Sequence, residues 1–136
     1  MKISPNSQCP CGSEKKYKKC CKPFHEGLNP KTAEELMRSR FCAYSLNNAF
    51  YIINTTHVDN QDYTSNINSW KEDITNFSMC TQFVKLELID SIEGDSESFV
   101  SFKASLIQDN KDASFIEKSR FLKVNNKWLY VDGTIS

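Results

Sequence analysis

No apolar run in this sequence approaches the roughly 20 residues a helix needs to cross a bilayer, and no charged-then-apolar leader precedes its first cysteine. These absences read as a cytoplasmic chain without a membrane span. No internal repeat or low-complexity tract appears either, so 136 residues with sixteen aromatics leave room for one ordinary domain plus a small appendage. Histidine is scarce, at two, and no nucleophile stands paired with a base. The reading therefore leans away from an enzyme. Net charge is also missing, but only as a sum. Residues 1–30 hold six lysines against Glu14 and Glu26, a balance of +4, and the remainder balances at −4. A cationic tip on an acidic body points to an anionic partner for the tip.

Cysteine, by contrast, is crowded. Four of six fall in the first 21 residues, as Cys9-Pro10-Cys11 and Cys20-Cys21 with eight residues between the pairs. So short a segment has too little apolar surface to fold alone. A tetrahedral ion held by four thiolates would staple it, and in a reducing compartment clustered cysteines hold metal more often than they form disulfides. A disulfide pair or free thiols are the alternatives. Four protein ligands leave no position for water, so the ion, Zn²⁺ by preference, reads as structural. Gly12 suits a tight turn around it. Cys42 and Cys80 stand alone and read as small buried hydrophobes.

Residues 1–24 form this knuckle, residues 25–31 a linker overlapping the Pro23–Pro30 stretch, and residues 32–136 the body. Thr32-Ala33-Glu34-Glu35 matches a capping box and predicts a helix to about Asn47, with shorter helices over 49–56 and 66–76. From Cys80 the pattern alternates with period two. Val84, Leu86 and Leu88 share a strand face, as do Val100, Phe102, Ala104 and Leu106 of the next strand. A third strand covers about 113–124 and a fourth 127–132, joined at Asn125-Asn126, a pair that tolerates positive φ. Helices followed by four antiparallel strands make an α+β domain.

On the first body helix, Arg40 falls inside the apolar arc of Ala33, Leu36, Met37, Phe41, Ala43 and Tyr44, while Arg38 falls off its edge. A core-facing arginine is costly unless paired, so Arg40 should meet a carboxylate. Glu117 and Asp132 alternate in step with the aromatic faces of the last strands and are the candidates, with His57 able to join them. This group reads either as a polar cluster at the base of a pocket, available for acid–base chemistry or anion capture, or as a buried link tying helix to sheet.

The run from Cys9 to Cys21 resembles the SEC-C motif, Cys-x-Cys-Gly-Ser-Gly-x-Lys-[Tyr/Phe]-Lys-x-Cys-[His/Cys], known from the tail of the SecA translocation motor. The resemblance implies that Cys9, Cys11, Cys20 and Cys21 are zinc ligands. It also implies a basic surface of Lys15, Lys16, Tyr17, Lys18 and Lys19, matching in type the one through which that module meets a chaperone and the ribosome. Glu14 stands where the motif has its second glycine. Nucleic-acid contact is the weaker reading of the same lysines, since a solvated charged face has the same composition. In the body, Thr32–Tyr44, Thr56-His57, Phe102–Ala104, Glu117–Phe121 and Trp128–Gly133 resemble the bacterial YchJ-like (UPF0225) proteins. These join a SEC-C motif to a domain like nuclear transport factor 2, with Thr56 where the family pattern has Trp. The resemblance implies an NTF2-like cone of helices on a curved antiparallel sheet, often a homodimer. Its implied role is a zinc-binding adaptor for an anionic protein or ribonucleoprotein in translation or secretion. The alternative is a small-molecule binder or isomerase- or dehydratase-like enzyme using the pocket.

Overall fold

The computed structural model describes residues 3–136, so Lys2, counted in the cationic segment, lies outside the described residues. A short 3₁₀ turn, Tyr17–Lys19, leads into α1 (Cys21–His25). The helices α2 (Ala33–Ser45), α3 (Ala49–Asn54) and α4 (Ile67–Met79) follow. The strands are β1 (Thr81–Ile92), β2 (Glu97–Gln108), the two-residue β3 (Lys111–Asp112), β4 (Phe115–Val124) and β5 (Lys127–Ile135). They form one antiparallel sheet of order β1-β2-β4-β5, with β3 added on β2. This is the α+β architecture the sequence predicts, with α2 packed against β1, β2 and β5. No helix among the described residues is long and apolar enough to cross a membrane.

Local chemistry fixes the element ends. Thr32 accepts from the Glu35 amide (3.1 Å) while Glu35 accepts from the Thr32 amide (3.2 Å), which is the capping box the sequence predicts. Glu93, from the end of the β1–β2 hairpin, adds its carboxylate to the free amides of Ala33 and Glu34, both at 3.1 Å, where the helix dipole favours negative charge. At the other end of the chain, Asn125 (φ 51°) and Asn126 (φ 65°) make the predicted two-residue turn between β4 and β5. α4 runs to Met79, three residues beyond its predicted end at 76.

Strand facing departs from simple alternation in two places. Pairing between β1 and β2 shifts register between Phe83 and Lys85 and again between Leu88 and Asp90. Each irregularity adds a residue and reverses which side points inward. Val84, at the first shift, is exposed and does not share the face of Leu86, whereas Leu86 and Leu88 keep one face in regular register, Leu86 buried and Leu88 38% exposed. On β5, a shift opposite Arg120 and Phe121 does the same to Asp132.

The core joins knuckle and body. Cys9, Cys11, Tyr17 and Cys21 belong to the same buried cluster as Leu36, Cys42, Ile52, Val100 and Phe121. The predicted linker stretch opens inside α1, whose last three residues are Pro23, Phe24 and His25.

Candidate functional site

The first site is the cysteine cluster. The thiol sulfurs of Cys9, Cys11, Cys20 and Cys21 all lie within 4.8 Å of one another, three of them buried. Cys11 and Cys20 are 3.5 Å apart and Cys20 and Cys21 are 4.0 Å apart, with no disulfide among them. Tetrahedral coordination at metal–sulfur distances of about 2.3 Å places neighbouring sulfurs about 3.8 Å apart, so the four fit one ion. Their electrostatics ask for a cation. Cys9 is driven far below the ordinary thiol range by hydrogen bonding with Cys11, Cys21 and Cys42. Burial lifts Cys20 to about 11, and Cys21 is raised by its hydrogen bond with Cys11. A divalent ion would stabilise all four as thiolates.

The backbone around the sulfurs is tightly wound. Gly12 (φ 80°) lies so close to the sheet that an added Cβ would come within 3.1 Å of the Leu86 carbonyl oxygen. Glu14 adopts φ 69° at the position where the motif has glycine. A left-handed backbone costs an L-residue about 1–2 kcal/mol, partly offset by the entropy glycine loses on folding. Glu14→Gly should therefore stabilise the protein by about 0.5–1 kcal/mol in urea denaturation.

The knuckle is clamped to α2 by groups the sequence did not single out. Cys42, fully buried on that helix, has its Sγ 3.9 Å from Cys9 Sγ, so it is both the expected buried residue and a partner of the sulfur cluster. Arg38 Nη1 donates to the Cys11 carbonyl at 2.9 Å. His25 bridges the two parts: Nε2 lies 2.9 Å from the Ser39 carbonyl, and Nδ1 lies 2.8 Å from the Tyr17 hydroxyl. The carbonyl can only accept, so Nε2 carries the proton and Nδ1 accepts from Tyr17. Arg38, Ser39 and Cys42 occupy neighbouring positions of one helical side, and two small polar residues on a buried side are the sequence signal for this docking face.

Burial lowers the affinity of His25 for a proton. A histidine held neutral in the fold binds fewer protons than it does in the unfolded chain. Its contribution is thus present above the ordinary histidine pKa and lost as pH falls below it. Between pH 7 and pH 5, urea melts should show wild type losing more stability than His25→Asn, the difference between the two proteins cancelling any protonation of the cysteines.

Tyr17 is buried beneath the lysines, hydrogen-bonded to His25, instead of lying on their surface. Lys15, Lys16, Lys18 and Lys19 are exposed, and none forms an ion pair among the described residues. Cys80 is exposed at the end of α4, its thiol directed to the Phe77 carbonyl, so it is not the buried hydrophobe expected.

The second site is a cavity of about 200 Å³ between α2 and the sheet. Aromatic side chains dominate it: Phe41, Tyr44, Phe77, Phe83, Phe115 and Phe121, with Arg40 and Glu117 in the wall. Arg40 faces the core, 8% exposed, but it does not meet a carboxylate. Its Nη1 donates to Ile52 O (3.1 Å), Thr55 Oγ1 (2.8 Å) and Thr56 Oγ1 (3.1 Å), and the guanidinium lies 4.7 Å from the Tyr130 ring centre. The polar end of α3 supplies oxygen where the sequence reading supplied an anion. Glu117 instead accepts from the Tyr130 hydroxyl at 3.0 Å and from Ser119 Oγ. Its carboxylate lies over Gly133, where a Cβ would collide with it.

The structure does not bring the other two candidates to this cavity. Asp132 is exposed and pairs with Arg120 at 3.0 Å, because the β5 irregularity turns it outward. The His57 ring stays with its own loop, Nδ1 accepting from the Asp59 amide at 3.0 Å. Thr56 is buried behind Arg40, its hydroxyl donating to the Ile52 carbonyl at 2.6 Å.

Known proteins share both parts. Residues 6–23 match the SEC-C motif and residues 32–133 match the YchJ middle NTF2-like domain. A UPF0225 protein of Vibrio cholerae is 42% identical over 130 residues, spanning 92% of this chain and 81% of that one. The UPF0225 protein YchJ of Shigella dysenteriae is 37% identical over 129 residues, spanning 93% and 82%. A solution structure of a SEC-C motif-containing protein from Rhodopseudomonas palustris superposes with a TM-score of 0.83 at 29% identity, covering 96% of this chain and 99% of that one. A crystal structure of one from Psychrobacter arcticus gives 0.81 at 27%, covering 97% and 84%.

Proposed function

Because the chain belongs to the YchJ-like UPF0225 family, we propose that it is a zinc-stapled adaptor whose SEC-C knuckle docks an acidic protein or ribonucleoprotein. The observation that supports this reading is the division of labour around the sulfurs. Tyr17 and the cysteines turn inward and fix the knuckle on α2, while Lys15, Lys16, Lys18 and Lys19 stay exposed, without an ion pair among the described residues. Zinc suits the four soft, closed ligands, and without a position for water it has a structural part, holding the cationic face in one shape. Long-range attraction from that face raises association rates with an anionic surface and weakens with salt.

The test compares wild type with a variant in which all four lysines become glutamate, and with a Cys20/Cys21 double serine variant. Each is centrifuged with purified ribosomes over a series of salt concentrations. Salt-sensitive co-sedimentation of wild type, lost in both variants, is the expected result. Binding in which all three proteins are equal, here and in pull-downs of acidic partner proteins, would sink the adaptor reading.

A further inference from the structure

The cavity under α2 is lined by a cation whose hydrogen bonds within the protein all leave from one nitrogen. Arg40 is more than nine-tenths buried, yet all its hydrogen bonds leave from Nη1. Nε and Nη2 have no acceptor among the described residues, and no carboxylate lies within ion-pair distance. A guanidinium presents five donors in a planar fork that matches a carboxylate through two parallel bonds. Three neutral oxygens at one corner of that fork leave the rest available to the cavity it lines.

Size and wall chemistry narrow what can enter. Apolar cavities of about 150 Å³ take up benzene. At about 200 Å³, with phenylalanines on most sides, this one suits a single ring bearing a short substituent. The substituent's charge is decided by competition between Arg40 and Glu117. Arg40 is the more deeply buried, and Coulomb interactions strengthen as the local dielectric falls. Glu117 is half-exposed and already receives two hydroxyl donors, so its field on an entering group is weaker.

We propose that the cavity is a binding site for a small aryl or arylalkyl carboxylate, its carboxylate on the free edge of the Arg40 guanidinium and its ring among Phe41, Phe83, Phe102 and Phe115. Tyr130 serves both poles, its ring stacked on the guanidinium and its hydroxyl tying down Glu117. That arrangement keeps Glu117 from swinging over to neutralise Arg40. The carboxylate end is therefore directed to Arg40 and away from the strand bearing Glu117.

The experiment uses the full-length, metal-loaded chain and three probes of nearly one shape: phenylacetate, 2-phenylacetamide and 2-phenylethylamine. Binding is followed by methyl and aromatic NMR shifts. Phenylacetate should saturate shifts at Met37, Ala104 and Leu106, binding at least ~10-fold tighter than either competitor, which is about 1.4 kcal/mol. Ala104→Leu, whose added carbons enter the cavity, should abolish the shifts while leaving the circular dichroism spectrum and the knuckle unchanged. The proposal is overturned if the amide binds as well as the acid, if the amine binds better, or if none of the three shifts a cavity residue. It is equally overturned if phenylacetate binding survives in folded Ala104→Leu. Ribosome binding through the knuckle is untouched by any of these results.

Discussion

With zinc in the proposed four-cysteine site, chelation is expected to lower the thermal midpoint of the whole protein, body included, by roughly 12–16 °C. At free zinc about 1,000 times the dissociation constant, binding to the folded state alone contributes about 4 kcal/mol, and a domain of this size shifts by roughly 3–4 °C per kcal/mol. The effect reaches the body because the knuckle has no core of its own. Cys9, Cys11, Tyr17 and Cys21 pack in one cluster with Leu36 and Cys42, and Arg38 and His25 tie the backbones together. Both tryptophans lie in the body, Trp70 on α4 and Trp128 on β5, so tryptophan fluorescence reports the body alone. A chelator-induced drop in the fluorescence-monitored midpoint is the expected result, reproduced by Cys11→Ser and then insensitive to further chelator. A knuckle lost without any change in the tryptophan transition would show the two parts to be energetically independent, against the shared cluster.

That coupling is also where the sequence was least legible. Its short-range signals translate directly: the Thr32 capping box, the Asn125-Asn126 turn and the four-cysteine spacing each involve residues that meet their partners nearby in the chain, nine positions apart for Cys11 and Cys20. Arg40 was placed correctly in the core by helical periodicity. Its partner was not, because the α3 carbonyl and threonine hydroxyls that satisfy it carry no charge to advertise them. Strand facing failed at Val84 and Asp132 for one reason. A single inserted residue reverses inside and outside for everything beyond it, and neither β1 nor β5 marks its irregularity with proline or with glycine at the shift itself. Tyr17 looked like a surface aromatic among lysines. Only the return of His25 at the end of α1 gives its hydroxyl a buried acceptor.

Arg40→Ala is expected to destabilise the protein by about 3 kcal/mol, and Arg40→Met by at most about 1 kcal/mol. The alanine variant loses the packing of a long buried side chain and enlarges the neighbouring cavity, a cost comparable to other large-to-small core changes. Methionine restores most of that volume and removes only the charge and its bonds. Those bonds are partly replaceable in place: Thr56 Oγ1 already donates to Ile52 O at 2.6 Å, and Thr55 Oγ1 to Tyr51 O at 2.7 Å, so neither hydroxyl proton is orphaned. What methionine loses is the charge-assisted hydrogen bonding and the stacking on Tyr130; what it gains is freedom from desolvating a guanidinium, and the two nearly cancel. Urea denaturation of the three proteins checks the pair of values, and amide exchange at His57, whose N–H donates to Tyr130 O at 2.9 Å, checks that the α3 end keeps its place. A methionine variant as costly as the alanine one would mean that the charge itself holds α3 to the sheet. A near-neutral methionine variant leaves the buried charge with little structural use, and points its free edge toward what enters the cavity.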